Sequence, residues 1–215
     1  METSGVNIAA LFDFDGVVMD TETQYTKFWN EIGARYLPQI PNFGLRIKGQ
    51  TLTQIFQHYF GELKSEQPLI EEHLKHLESE MVYEYIPGVV DFMCDLRRNK
   101  VKIAIVTSSN EQKMANVYKA HPELTELVDR ILTSEMFPRS KPAPDCFLLG
   151  MKIFGTDPQH TYVFEDSFHG LEAGNASGAK VIGLATTNSR EAIRDKARLV
   201  IDDFTQMSFQ RMLQV

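Results

Sequence analysis

Ile8-Ala9-Ala10-Leu11-Phe12-Asp13-Phe14-Asp15-Gly16-Val17-Val18 decides the reading of this chain. An apolar run delivers two carboxylates, two residues apart, into a glycine. A run of this length bounded by glycine reads as a short buried strand. Carboxylates at the mouth of such a strand are costly to desolvate unless a cation accompanies them. In an open α/β sheet, ligands bind beyond the carboxyl ends of the strands. The opening segment therefore predicts a functional site, with a metal ion in it.

Working outward, apolar β-branched runs recur at Lys102–Thr107, Thr161–Phe164 and Lys180–Leu184, with shorter ones at Arg130–Thr133 and Leu199–Ile201. Helical patterns separate them at Val89–Asn99, Glu111–Ala120, Asp145–Phe154 and Gly170–Ser177. Alternating strands and helices predict an α/β fold, a parallel sheet with crossover helices. One stretch interrupts the alternation. Between Thr23 and Tyr85 the pattern is helical only, with predicted helices at Thr23–Tyr36, Thr51–Tyr59 and Pro68–Tyr83. Phe28, Ile32 and Tyr36 recur at helical spacing, while Pro38, Pro41 and Gly44 break the first helix from the next. Pro87-Gly88 marks the return. The expected organisation is an α/β core, residues 1–21 and 86–215, with a helical cap, residues 22–85, inserted after the first strand.

The bulk numbers fit this frame. The 215 residues carry a formal net charge of −7, with 43% hydrophobic and 24% charged residues. That is ample for one sizeable core. The acidic balance and the absence of a dense Lys/Arg patch argue against nucleic acid as a partner. No segment approaches membrane-span length and no leader pattern opens the chain, so a cytoplasmic protein is expected. Cys94 and Cys146 lie in apolar helical patterns and read as buried free thiols. The oligomeric expectation is a monomer or a weak homo-oligomer.

Four short motifs fall at predicted strand ends: Asp13-x-Asp15-Gly16, Thr107-Ser108-Ser109, Lys141-Pro142 and Glu165-Asp166-Ser167. Parallel strand ends share one sheet edge, so these residues can converge. Together they suit phosphoryl transfer. Asp13 can attack phosphorus as a carboxylate nucleophile. Asp15 can give a proton to the leaving oxygen and later take one from water. Asp13, Glu165 and Asp166 supply the hard oxygen ligands that Mg²⁺ prefers. Thr107 or Ser108, with the backbone N–H groups after them, can hold phosphoryl oxygens, and Lys141 adds a fixed positive charge.

The set, in this order, resembles the haloacid dehalogenase superfamily. The resemblance implies a Rossmann-like core, an aspartyl-phosphate formed on Asp13, and Asp15 as general acid/base. It also implies Mg²⁺ held by Asp13, the backbone carbonyl of Asp15, and Asp166 supported by Glu165. Ser108 would be the phosphate-binding hydroxyl, with Ser109 and Asn110 close behind. The dehalogenases of the superfamily lack the second Asp, which this chain has. Residues 22–85 resemble the small helical cap of the β-phosphoglucomutase and phosphoglycolate phosphatase group, with matches at Asp20-Thr21-Glu22, Lys48-Gly49-Gln50-Thr51 and Ser167-x-x-Gly170-x-x-Ala173-Gly174. Lys48 would then meet the substrate or its phosphate, with Gly49 allowing close approach of the backbone. β-Phosphoglucomutases carry a cap His and a cap Arg where this chain has Tyr25 and Leu52. Leucine cannot grip a second phosphate, although Arg46 lies nearby.

The expectation is thus a Mg²⁺-dependent phosphatase for a small phosphorylated metabolite such as a sugar phosphate, weighed against a hexose phosphate mutase and a non-catalytic phosphate-binding module. Plainer roles are available for individual residues. Thr107-Ser108-Ser109 suits a helix cap, which is itself a phosphate site. His73 and His76 read as a solvated helix face rather than a zinc pair. His169 receives no role, and Tyr25, Phe28 and Trp29 read first as cap packing.

Overall fold

A computed structural model of the chain describes residues 7–215. The strands are β1 (Ala9–Phe12), β2 (Lys102–Val106), β3 (Arg130–Leu132), β4 (Thr161–Glu165), β5 (Lys180–Leu184) and β6 (Leu199–Ile201). They form one six-stranded sheet in the order β3-β2-β1-β4-β5-β6, and every pairing is parallel. β1 is central, flanked by β2 and β4, with Phe12 in register with Ile105 and Phe164. The order reverses at β1, so the crevice beyond its carboxyl end is the topological switch point.

Alternation along the strands builds two cores. Ala10, Phe12, Ile103, Ile105, Tyr162 and Phe164 face one apolar cluster; Ala9, Leu11, Ala104, Val106 and Val163 face the other. Every residue of β1 is fully buried, which is why the run carries no polar alternation. Phe12 stacks on Phe164 with centroids 4.4 Å apart, and Phe92 and Phe204 close the aromatic group behind them.

The helices are α1 (Glu22–Tyr36), α2 (Phe43–Arg46), α3 (Leu52–Tyr59), α4 (Gln67–Glu80), α5 (Val89–Arg98), α6 (Glu111–Ala120), α7 (Leu124–Leu127), α8 (Asp145–Phe154), α9 (Phe168–Ala176), α10 (Arg190–Ile193) and α11 (Phe209–Leu213). α1 to α4 enclose an apolar cluster of their own, in which Trp29, Ile32, Phe43, Ile55, Phe60, Ile70 and Leu74 are buried. Thr51 and Gln54 start α3 with a reciprocal capping box.

α4 ends at Glu80, three residues before the predicted Tyr83. The chain there is taken up by pairing between the two linkers that join the helices to the sheet. Met19 and Tyr85 form an antiparallel bridge, the Asp20 N–H donates to Glu84 O (2.8 Å) and the Ile86 N–H to Val18 O (3.0 Å). α9 begins at Phe168 rather than Gly170, because the Ser167 hydroxyl caps it by accepting from the Gly170 N–H. Cys146 is buried, but Cys94 is only half-buried, at the margin of the apolar face of α5. His73 and His76 are exposed on α4. Among the described residues no helix is long and apolar enough to cross a membrane.

Candidate active site at the sheet edge

The turn after β1 places Asp13 and Asp15 differently. Asp13 continues the strand, its N–H donating to Phe164 O (2.9 Å), and is 7% exposed. Lys141 Nζ donates to Asp13 Oδ1 (2.7 Å), Glu165 Oε1 (2.7 Å) and Val106 O (3.2 Å), so one buried ammonium ties the ends of β1, β2 and β4 together. Burial alone would lower the Lys141 pKa; Asp13 and Glu165 outweigh it and hold the ammonium well above the usual lysine range. Burial first, and then the neighbouring Glu165, push the Asp13 carboxyl up to about 7 despite Lys141.

Asp166 follows Glu165 and is 1% exposed. Its Oδ2 is buried with no hydrogen-bond partner among the described residues. Burial, followed by Glu22, Glu165 and Asp13, raises its pKa well above the carboxylate range. Carboxylate oxygens of Asp13, Glu165 and Asp166 lie within 4.8 Å of one another. Three buried acids against one lysine leave negative charge in excess, and such charge persists only beside a counter-ion or with protons added. An orphaned, enclosed oxygen in an all-oxygen donor set fits a hard divalent cation such as Mg²⁺. Gly16 makes the room for it: its φ is +75°, and a Cβ there would lie 2.2 Å from Asp166 Oδ2.

Glu165 takes a different position from Asp166. It is fully buried, Oε1 is held by Lys141, and Oε2 accepts from the Asp166 N–H (2.9 Å), the Ser167 N–H (3.0 Å) and the Ser167 hydroxyl (3.1 Å). With both oxygens engaged, it anchors Lys141 and the turn. The Asp15 carboxylate lies outside the acid cluster. Lys113 Nζ bridges both its oxygens at 2.6 Å, Ser109 Oγ donates to Oδ2 (3.0 Å), and the Thr21 hydroxyl donates to Oδ1. Any metal contact from Asp15 is thereby left to its backbone.

The motif-two residues divide in the same way. Thr107 is fully buried and its hydroxyl accepts from the Ser109 N–H (3.0 Å), so it shapes the turn and does not line the cavity. Asn110 caps α6 by accepting from the Lys113 N–H (2.9 Å). Ser108, Ser109 and Asn110 all line the cavity.

Cap elements close over this edge. The Ser108 hydroxyl donates to Gly49 O (3.3 Å), Gln54 Nε2 to Lys141 O (3.1 Å), and His169 Nδ1 lies 2.9 Å from Lys48 O. Gly49 has a φ of +78°, and a Cβ there would meet Ser167 Oγ at 2.6 Å. Its lack of a side chain thus serves cap–core contact. Lys48 lines the cavity, as a substrate contact would require, and is ion-paired there with Glu22. Between cap and core lies a cavity of about 450 Å³, with Asp13, Asp15 and Asp166 on its floor and Trp29, Leu52, Ile55, Phe56, Leu74 and Glu78 toward the cap. Leu52 lines it, whereas Arg46 is exposed and does not.

Lys113 and Glu78 carry no motif in the sequence, and Glu22 stands there only as part of the Asp20-Thr21-Glu22 match. Lys113 was one charge among many at the start of a predicted helix. Its signal is spacing: it stands four residues after Ser109 and directly before the apolar positions Met114 and Val117. Glu78 continues the Ile70–Leu74 stripe of α4 one further step, so an acid occupies the next core-facing position.

The family model for haloacid dehalogenase-like hydrolases matches residues 10–184. The chain belongs to that family, with the small helical cap. A probable pseudouridine-5'-phosphatase of Saccharomyces cerevisiae is 30% identical over 210 residues, covering 89% of this chain and 88% of the relative. Hexitol phosphatase A of Escherichia coli K12 is 28% identical, covering 81% of each chain. The crystal structure of a family IA, variant 3 hydrolase from Entamoeba histolytica superposes with a TM-score of 0.81 at 22% identity, covering 96% of this chain and 98% of that one.

Proposed function

We propose that the chain is a Mg²⁺-dependent phosphatase that hydrolyses the phosphate ester of a small metabolite, such as a sugar phosphate, through an aspartyl-phosphate on Asp13. The observation that carries this reading is the geometry of Asp13. Lys141 holds Oδ1, no hydrogen bond reaches Oδ2 among the described residues, and the residue lines the cavity beside the acid cluster. Oδ2 is the atom left to attack phosphorus. The P–O bond to the substrate oxygen breaks as the Oδ2–P bond forms, and Asp15, acting in its protonated form, gives a proton to that leaving oxygen. Asp15 then takes a proton from water, whose oxygen attacks the aspartyl-phosphate and releases inorganic phosphate.

Asp13, Asp166 and the Asp15 carbonyl would hold Mg²⁺. The metal would offset the charge of nucleophile and phosphate as they approach. Lys141 keeps Asp13 aligned, with Glu165 keeping Lys141 in place. Lys113, Ser109 and Thr21 fix the Asp15 carboxylate two residues from the nucleophile. Ser108 and the backbone at the start of α6 would take the phosphoryl oxygens, and residues 22–85 act as a closing cap that selects the substrate. The phosphatases of yeast and E. coli named above support hydrolysis, as does Leu52 in place of a cap cation.

Phosphate release from p-nitrophenyl phosphate and sugar monophosphates with Mg²⁺, compared between wild type and Asp13→Asn, tests the reading. Release by the wild type and none by a folded variant is expected. Near-normal release by Asp13→Asn would exclude Asp13 as nucleophile, and conversion of hexose 1-phosphate to hexose 6-phosphate would establish the mutase instead.

A further inference from the structure

The acid on the cap wall has no task in the chemistry above. Glu78 is 8% exposed, on the face of α4 that packs into the cap. Its Oε1 accepts from the Tyr25 hydroxyl at 2.8 Å, and among the described residues no hydrogen bond or ion pair reaches Oε2. The residue lines the cavity. With one oxygen held by Tyr25 and the other open to the cavity, this largely enclosed carboxylate can accept a hydrogen bond from a bound molecule.

The charges around the cavity narrow what Glu78 can meet. The lysines that line it are both engaged: Lys48 pairs with Glu22, and Lys113 with Asp15. Glu78 adds an acid on the cap side with no ion-pair partner among the described residues, while Glu71, also in the lining, pairs with Lys75. A second phosphate or a carboxylate on the organic part of a substrate would find no unpaired ammonium and would face like charge. A hydroxyl would find an acceptor, while Trp29, Phe56 and Leu74 offer apolar surface for the C–H face of the same molecule. That combination, an apolar wall and one placed polar group, is how small-molecule pockets orient a ligand.

We infer that Glu78, held by Tyr25, is a specificity-determining residue that accepts a hydrogen bond from a hydroxyl of the leaving alcohol, and that the site takes monophosphate esters of uncharged polyhydroxylated alcohols and rejects bisphosphates. The inference rests on the phosphatase reading, and the probes separate the two. p-Nitrophenyl phosphate reports the core chemistry without a hydroxyl to recognise. Glucose 6-phosphate supplies hydroxyls, and glucose 1,6-bisphosphate adds only the second phosphate.

The measured quantity is kcat/KM for each probe with Mg²⁺, taken as a ratio to p-nitrophenyl phosphate within each protein so that partial loss of folded enzyme cancels. The wild type should use the monophosphate at least about tenfold better than the bisphosphate. Glu78→Leu should lower the glucose 6-phosphate ratio about tenfold or more, mainly through KM. The near-isosteric Glu78→Gln should lower it by about threefold and improve relative use of the bisphosphate; it decides the matter if the leucine variant does not fold. An unchanged ratio in Glu78→Gln, or equal use of mono- and bisphosphate by the wild type, would overturn the assignment. A wild type that releases phosphate from none of the three probes would instead remove the phosphatase reading, and this inference with it.

Discussion

The floor and the roof of the cavity are built on different principles. On the floor, acids stand at the ends of neighbouring strands and are fixed by buried charge: Lys141 joins Asp13 to Glu165, and Lys113 grips Asp15. On the roof, four helices hold an aromatic cluster, and the polar groups that face the cavity are few, notably Glu78 with Tyr25 and Lys48 with Glu22. The floor is suited to one reaction and tolerates little change. On the roof, Trp29, Ile55 and Leu74 belong to the apolar core and also line the cavity, so the contacts free to vary without disturbing that core are the polar ones. The proposed division, chemistry at the sheet edge and substrate choice in the cap, rests on that difference.

The largest break in the comparison should come from Lys141→Met. It strands Asp13 and Glu165 in a buried site, and removing one partner of a buried ion pair costs about 3–5 kcal/mol. Urea unfolding should show that loss, together with loss of phosphate release. Little change in the midpoint would mean the floor is not held together by charge. Lys113→Met should be milder for stability and severe for turnover. Asp15 keeps Ser109 and Thr21 as donors but loses its cation, and kcat should fall about 10- to 100-fold, less than the about 100- to 10,000-fold that a general acid/base supplies in full. A KM effect without a kcat effect would move Lys113 from proton-carrier positioning to substrate binding.

Metal removal and pH sharpen the account of the acid cluster. Burial and Glu165 raise the Asp13 pKa from 3.8 to about 7. For an acid raised on folding, the folded state favours the protonated form. Its stabilising contribution is full below 3.8 and is lost as pH climbs toward about 7. A cation that binds the ionised form counters that loss. With Mg²⁺ at about 100 times its Kd the gain should reach about 2.7 kcal/mol near pH 8, and it should shrink toward pH 5, where protons compete. Thermal melts with Mg²⁺ and with EDTA across this range would show it; a gain independent of pH would remove Asp13 from the metal shell. The smallest expected effect lies in the cap. Thr51→Ala loses the capping-box oxygen of α3, about 1 kcal/mol, and loosens Gln54, whose amide reaches Lys141 O. The variant should raise KM more than it lowers kcat, and the reverse pattern would count against the division between roof and floor.

How much the sequence disclosed follows the same line. The β1 run, the strand–helix alternation and the motif acids were readable because each is local: an apolar stretch, a glycine, a charge where a strand stops. Elements held by distant partners were not. α4 stops at Glu80 because the chain after it pairs with residues 18–20, far away in sequence. Lys113 carries no local motif because its partner, Asp15, lies at a distant strand end, and Lys48 likewise meets Glu22 at the start of α1. Thr107, Ser108 and Ser109 form a single motif in the sequence, yet one is enclosed and two line the cavity, a distinction set by the turn and invisible in residue type.

The central claim is covalent: the phosphoryl group passes through Asp13. Acid-quenching the enzyme during turnover of a ³²P-labelled sugar monophosphate with Mg²⁺, followed by proteolysis and mass spectrometry, tests it most directly. The account predicts acid-stable, base-labile label on the peptide carrying Asp13, absent in Asp13→Asn. Turnover without any label on the protein, or label retained in Asp13→Asn, would contradict it.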